Sequence, residues 1–190
     1  MIRILLIRHA QPEGAWGVAD DPGLTERGRA QAEGAAMMLA RVAPLFLVSS
    51  PLRRCRETAG PTVALFGQEA VIEPRVAEVR TPTAAADRRA WLAARFADDA
   101  STLWTDLEAE TRAWRDELLA CVRGWRTDTA VFTHYIAINV LAGAATGREE
   151  TLVCRPAHAS ITELALENGA LRLVALGAQM PDGVARSDVR

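Results

Sequence analysis

Arg8 and His9 stand where a short apolar run ends. Residues Ile2 to Ile7 are almost wholly aliphatic, the pattern of a buried strand. Neither residue belongs in a core. In open α/β sheets ligands bind outside the carboxyl ends of the strands. A neutral imidazole beside a permanent guanidinium is suited there to nucleophilic attack or proton transfer on an anion. Two further runs end in similar cargo: Leu45 to Val48 leads through Ser49-Ser50-Pro51-Leu52 to Arg53, Arg54 and Arg56, and Thr129 to Thr133 leads to His134. If the three strands are parallel neighbours, these side chains converge on one crevice, where helix N-termini add N–H donors and partial positive charge. Cations and imidazoles so gathered repel one another until a doubly charged phosphoryl group arrives. Each charge-assisted hydrogen bond to it contributes roughly 1.5–3 kcal/mol.

The elements that must position these residues follow from pattern. Thr25 is placed to cap a helix over Glu26 to Arg41. Ser50 as cap and Pro51 at the first helical position predict a helix from there to about Leu65. Val71-Ile72 reads as a short edge strand leading to Glu78. From Pro82 to Arg126 the patterning is helical, with Trp91, Trp104, Trp114 and Trp125 as core or cover. A helix from Ile136 to Ala145 follows His134. Two strands, Ile161 to Leu166 and Leu171 to Leu176, flank Glu167-Asn168-Gly169, a hairpin turn signal. Strands alternating with helices imply an α/β fold: a three-layer α/β/α sandwich, mostly parallel, with one antiparallel strand from the final hairpin. The expected organisation is a single domain over 1–180, a helical insertion at about 82–126 and a tail over 181–190.

Composition narrows the partners. A chain of 190 residues with 49% hydrophobic and 24% charged residues is ordinary globular material. A net charge of -2 gives no global attraction for nucleic acid or anionic membranes, so anion binding must come from local clusters. All 22 basic residues are arginine, a composition bias that weakens any single arginine as a signal, although the guanidinium fork suits phosphate. Cys55, Cys121 and Cys154 are odd in number, widely separated and without metal-ligand spacing, so they read as small buried residues. The N-terminal residues do not read as a signal peptide, so none is expected, and no apolar run reaches about 18 residues. The expectation is a cytoplasmic protein acting on a small phosphorylated substrate, its oligomeric state open, a homodimer included.

The motifs together carry a family resemblance. RHA at 8–10, LTERGRAQA at 24–32, SSPLRRCRETA at 49–59, Glu78, THY at 133–135 and a final strand opening with ASIT resemble the histidine phosphatase superfamily, also called the phosphoglycerate mutase-like family. The resemblance spans most of the chain. It implies His9 as the phosphate-accepting nucleophile, Arg8, Arg54 and His134 as ligands of the phosphoryl oxygens, and Glu78 as proton donor. The implied activity is a metal-independent phosphatase with a phosphohistidine intermediate and no cofactor. Gln11, Trp16 and Tyr135 are further candidates for substrate contact.

The chain departs from the family pattern in places. Ala10 and Tyr135 stand where glycines are usual, Ala15 replaces a common asparagine, and Val79-Arg80-Thr81-Pro82-Thr83 replaces the usual segment after the acid. Two alternatives therefore stay open: phosphoglycerate mutase-type transfer, for which 190 residues look short, and a catalytically degenerate phospholigand binder. Arg53 and Arg56 read as solvated helix residues, Ser49 and Ser50 as capping and turn residues, and His158 as structural. Arg80, Arg88 and Arg89 recognise a second anionic group or form a solvated face.

Overall fold

The computed structural model describes residues 1–14, 21–42, 45–96 and 102–181. Its centre is a six-stranded sheet in the order β3-β2-β4-β1-β5-β6. The strands are β1 (Ile2–Arg8), β2 (Phe46–Ser49), β3 (Val71–Ile72), β4 (Thr129–Thr133), β5 (Ile161–Glu167) and β6 (Ala170–Ala175). β4 runs parallel to β1 and β2, and β3 runs parallel to β2. β5 is antiparallel to both of its neighbours, β1 and β6. One strand therefore opposes the rest. The hairpin turn has left-handed backbone at Asn168 (φ 50) and Gly169 (φ 80), the conformation that asparagine and glycine tolerate best.

Helices cover both faces because the central strands are apolar on both. Leu5, Ile7, Leu47, Ala130 and Phe132 point to one side, where they meet Ala35 and Leu39 of α1 (Glu26–Leu39) and Cys55 and Ala59 of α2 (Arg53–Phe66). Ile4, Leu6, Val48, Val131, Leu164 and Leu166 point to the other. There they meet α3 (Arg88–Arg95), α4 (Ala109–Arg123) and α5 (Tyr135–Thr146). Alternation along each strand divides the side chains between two cores, the three-layer arrangement expected. α5 is buried from Tyr135 to Gly143, as a helix apolar all round must be. Trp91, Trp104 and Trp114 are buried in the same core, and Trp125 packs against it.

Some boundaries differ from expectation. α2 starts at Arg53, not at Pro51, and its N-cap is Leu52 without a side-chain cap. The Ser50 amide continues the ladder by donating to the Phe132 carbonyl, so the chain stays extended past the strand and the helix begins later. The segment expected to be helical from 82 to 126 is interrupted. Asp87 caps α3 through the Ala90 amide, a short 3-10 turn covers Trp104–Asp106, and α4 begins at Ala109. Of the expected tail, only Pro181 is described. Among the described residues no helix is long and apolar enough to cross a membrane.

Candidate active site

The carboxyl ends of β1, β4 and β2 lie side by side, with Arg8 opposite Thr133 and Ser49 opposite Phe132. The next residue on each strand is His9, His134 or Ser50. The His9 amide extends the ladder by donating to the Thr133 carbonyl. The imidazole rings of His9 and His134 are thereby 5.3 Å apart, centroid to centroid.

His9 is held in one tautomer. Its Nδ1 lies 2.9 Å from the Ala10 carbonyl. A carbonyl only accepts, so Nδ1 carries the proton and Nε2 the lone pair. Burial, then the positive field of Arg54 and the neighbouring His134 and Arg8, hold its pKa well below the usual value of about 6.5. The Ala10 amide donates to Thr58 Oγ1, which in turn donates to the Arg54 carbonyl at 2.6 Å. The loop after His9 is thus stapled to the helix turn that carries Arg54.

Arg54 lies in the first turn of α2, buried, with Nη2 3.2 Å from His134 Nδ1. His134 is wholly buried, and its Nε2 lies 2.8 Å from Ser50 Oγ. Burial, followed by Arg54 and Arg8, keeps its pKa well below the ordinary histidine value. Arg8 is buried too. Its Nη1 donates to the Pro156 carbonyl at 2.8 Å, and its guanidinium carbon lies 5.0 Å from the centre of the Tyr135 ring. Burial lowers its pKa to about 10, which leaves it charged at neutral pH. Among the described residues its buried Nε has no hydrogen-bond partner, so a donor remains for an anion.

Glu78 follows a 3-10 turn, Pro74–Val76, anchored to β4 by a bond from Thr133 Oγ1 to the Val76 carbonyl. Its carboxylate is buried and accepts from the Val79 amide at 2.9 Å and from the Ile136 amide, in the first turn of α5, at 3.4 Å. Burial raises its pKa, with the Val79 amide and then Arg54 pulling the other way. A carboxyl so placed holds its proton to higher pH than an exposed glutamate does.

The remaining candidates divide. Tyr135 is buried in the core beneath Arg8. Gln11 serves the entry to α1: its carbonyl accepts from the Thr25 amide, and its side-chain oxygen lies 3.4 Å from Thr25 Oγ1. Trp16, like Ala15, lies outside the described residues. Arg53, Arg56, Arg80 and Arg89 are exposed. Arg88 is half-buried and donates to Thr81 Oγ1 and the Val79 carbonyl, and its charge is felt at Glu78 and His134.

Three neighbours escape sequence reasoning. Ser50 contacts His134 rather than capping α2. Cys55 Sγ lies 3.3 Å from His134 Nε2. His158, read as structural, has its ring 5.8 Å from that of His9. The signal for His158 was present but needed the strand order. β5 runs against β1, with Ile7 opposite Ile161, so the residues before β5 must lie beside the end of β1.

Comparison with known proteins agrees with this picture. The chain is 35% identical over 83 residues to phosphoserine phosphatase 1 of Hydrogenobacter thermophilus, covering 42% of this chain and 39% of that protein. It is 39% identical over 80 residues to glucosyl-3-phosphoglycerate phosphatase of Mycolicibacterium vanbaalenii, covering 40% and 36%. Each match therefore spans less than half of the relative. Among solved structures, the mycobacterial glucosyl-3-phosphoglycerate phosphatase in complex with VO3 superposes with a TM-score of 0.70 at 24% identity, covering 94% of this chain and 100% of that one. The α-ribazole phosphatase of Shigella flexneri gives 0.70 at 18% identity, covering 93% and 96%. At such identities these structures establish the fold alone. The family model of the histidine phosphatase superfamily, branch 1, matches residues 4–179, and with that match over nearly its whole length the chain belongs to that superfamily.

Proposed function

We propose that this chain, as one domain over 1–180 with a helical insertion at about 82–126, is a phosphatase that hydrolyses small cytoplasmic phosphomonoesters through a phosphohistidine on His9. The observation that carries the reading is the His9 ring: Nδ1–H spent on the Ala10 carbonyl, Nε2 left as a lone pair, the ring held neutral among buried cations. Nε2 attacks phosphorus in line as the bond to the leaving oxygen breaks. Arg8, Arg54 and His134 hold the equatorial oxygens, where charge collects. Glu78 gives its proton to the departing alkoxide. It then takes one from a water whose oxygen attacks phosphorus, breaking the P–N bond and releasing phosphate. Every transfer falls to a side chain of the protein, with no step assigned to a metal. The matched relatives are named phosphatases, which supports hydrolysis over mutase-type transfer.

The test is turnover of an aryl phosphate by the wild type and by His9→Ala. The variant should lose at least about 10³-fold in rate, the scale of losing a nucleophile. An alkali-quenched wild-type reaction should yield phosphate bound to His9, since the P–N bond survives base and hydrolyses in acid. Binding of phosphate without any turnover in the wild type would instead favour the degenerate binder.

A further inference from the structure

Arg80, Arg88 and Arg89 lie close together in sequence, and the fold separates them. Arg80 and Arg89 are exposed, whereas Arg88, the first residue of α3, is half-buried. It lies three and four positions before Trp91 and Leu92, on the helix face that these two bury. Asp87 caps the helix through the Ala90 amide, which fixes the turn that carries Arg88. Arg88 Nη2 donates to the Val79 carbonyl at 3.1 Å, and its Nη1 donates to Thr81 Oγ1. The Val79 amide in turn donates to Glu78, so the guanidinium stands one residue away from the carboxyl that serves the leaving oxygen.

That charge is poorly compensated. A guanidinium is always charged and has five N–H donors, of which these two bonds use two. Among the described residues Arg88 forms no ion pair, and both of its acceptors are neutral. Burial lowers its pKa against the pull of Glu78, and Arg54 adds to the lowering. In the proposed reaction Glu78 enters with its proton and does not neutralise it. Because Glu78 protonates the leaving oxygen, the carbon chain of the alcohol passes Glu78 on its way out, and Arg88 borders that path.

We propose that Arg88 is a specificity-determining residue: its remaining N–H groups bind a carboxylate on the leaving alcohol, so that the substrates are phosphomonoesters of hydroxycarboxylic acids rather than of neutral alcohols. One half-buried cation matches one added negative charge. The proposal deepens the phosphatase reading above and rests on it.

Two readouts separate the subsite from the reaction. Phosphonopropionate and phosphonobutyrate resist hydrolysis and carry the carboxylate at two distances, and calorimetry compares each with its neutral carboxamide. The wild type should bind at least one acid about 10- to 100-fold more tightly than its amide, the scale of a charge-assisted hydrogen bond. The matching phosphate esters should show the same preference in kcat/KM. Arg88→Gln should bring both ratios close to one, and reading ratios cancels any general loss of activity. Arg88→Lys, which keeps the charge without the fork, should retain only part of each ratio. Arg89→Gln should retain all of it, and a collapse there instead overturns the proposal. A wild type that binds acids and amides alike at both lengths overturns it even if Arg88→Gln does not fold. So does an unchanged ratio in Arg88→Gln or, should that variant not fold, in Arg88→Lys. Carboxylate-selective binding without turnover in the wild type counts against the phosphatase reading and leaves the Arg88 subsite standing.

Discussion

Glu78 has one carboxylate oxygen on the Val79 amide and the other near the Ile136 amide, and burial outweighs both in raising its pKa. The direction matters for the proposed chemistry, since an acid must still hold its proton at the pH at which it works. Glu78→Gln should therefore slow hydrolysis of an alkyl phosphate by about 10²–10⁴-fold, the range for general acid catalysis, and that of an aryl phosphate far less. In the wild type, kcat for the alkyl substrate should fall as pH rises through the raised Glu78 pKa, and Glu78→Gln should flatten that limb. Equal slowing of both substrates would remove Glu78 from the acid role. His9 offers the complementary lesson: burial is the largest single cause of its neutrality, ahead of any one of the charged neighbours around it. Sequence could count the cations, whereas the depth of the pocket is a property of the fold.

At the scale of elements, the site is held by contacts between segments that are separate in sequence. α1 enters beside the His9 loop, with Thr25 as N-cap accepting from the Gly28 amide. Gly28 is required there because a Cβ would lie 2.2 Å from the Gln11 carbonyl oxygen, which itself accepts from the Thr25 amide. Gly28→Ala must push the helix off the loop. It should lower stability by about 1–3 kcal/mol, as overpacking does, measured as a lower urea midpoint at unchanged slope. A midpoint equal to the wild type would show that the loop yields freely. The later start of α2 is explained on the same scale. Ser50 reads as a cap in isolation, but its amide is taken by the sheet and its hydroxyl by a histidine 84 positions away. Local pattern named the residue type and missed the partner.

For the whole molecule, two buried neutral imidazoles couple stability to pH. The folded pKa values of His9 and His134 are lowered, so below about pH 6.5 the unfolded chain binds protons that the folded chain refuses. Stability should fall as pH drops from about 6.5, by up to about 1.4 kcal/mol per pH unit for each proton. The raised pKa of Glu78 acts in the opposite sense, stabilising at low pH and fading as pH rises through its folded value, so it partly offsets the loss in the acid range. A His134→Gln variant should show a shallower fall of Tm between pH 7 and pH 5. An equal slope would mean that this ring is not what carries the dependence.

Strands, helices and the phosphate-binding motifs were legible along the chain because each rests on local periodicity or on residues adjacent in sequence. Ile2 to Ile7 reads as a strand buried on both faces, and Arg8-His9 follows it directly. What sequence could not supply was the order β3-β2-β4-β1-β5-β6, since pairing depends on how whole elements pack rather than on any local preference. That order brings the imidazoles of His9 and His134 to 5.3 Å, adds His158 from the turn that precedes the antiparallel β5 and turns Ser50 from a helix cap into a partner of His134. The residue types and the chemistry open to them were set by the amino-acid sequence. Their burial, tautomers and pKa directions arose only when the strand ends were packed together out of water.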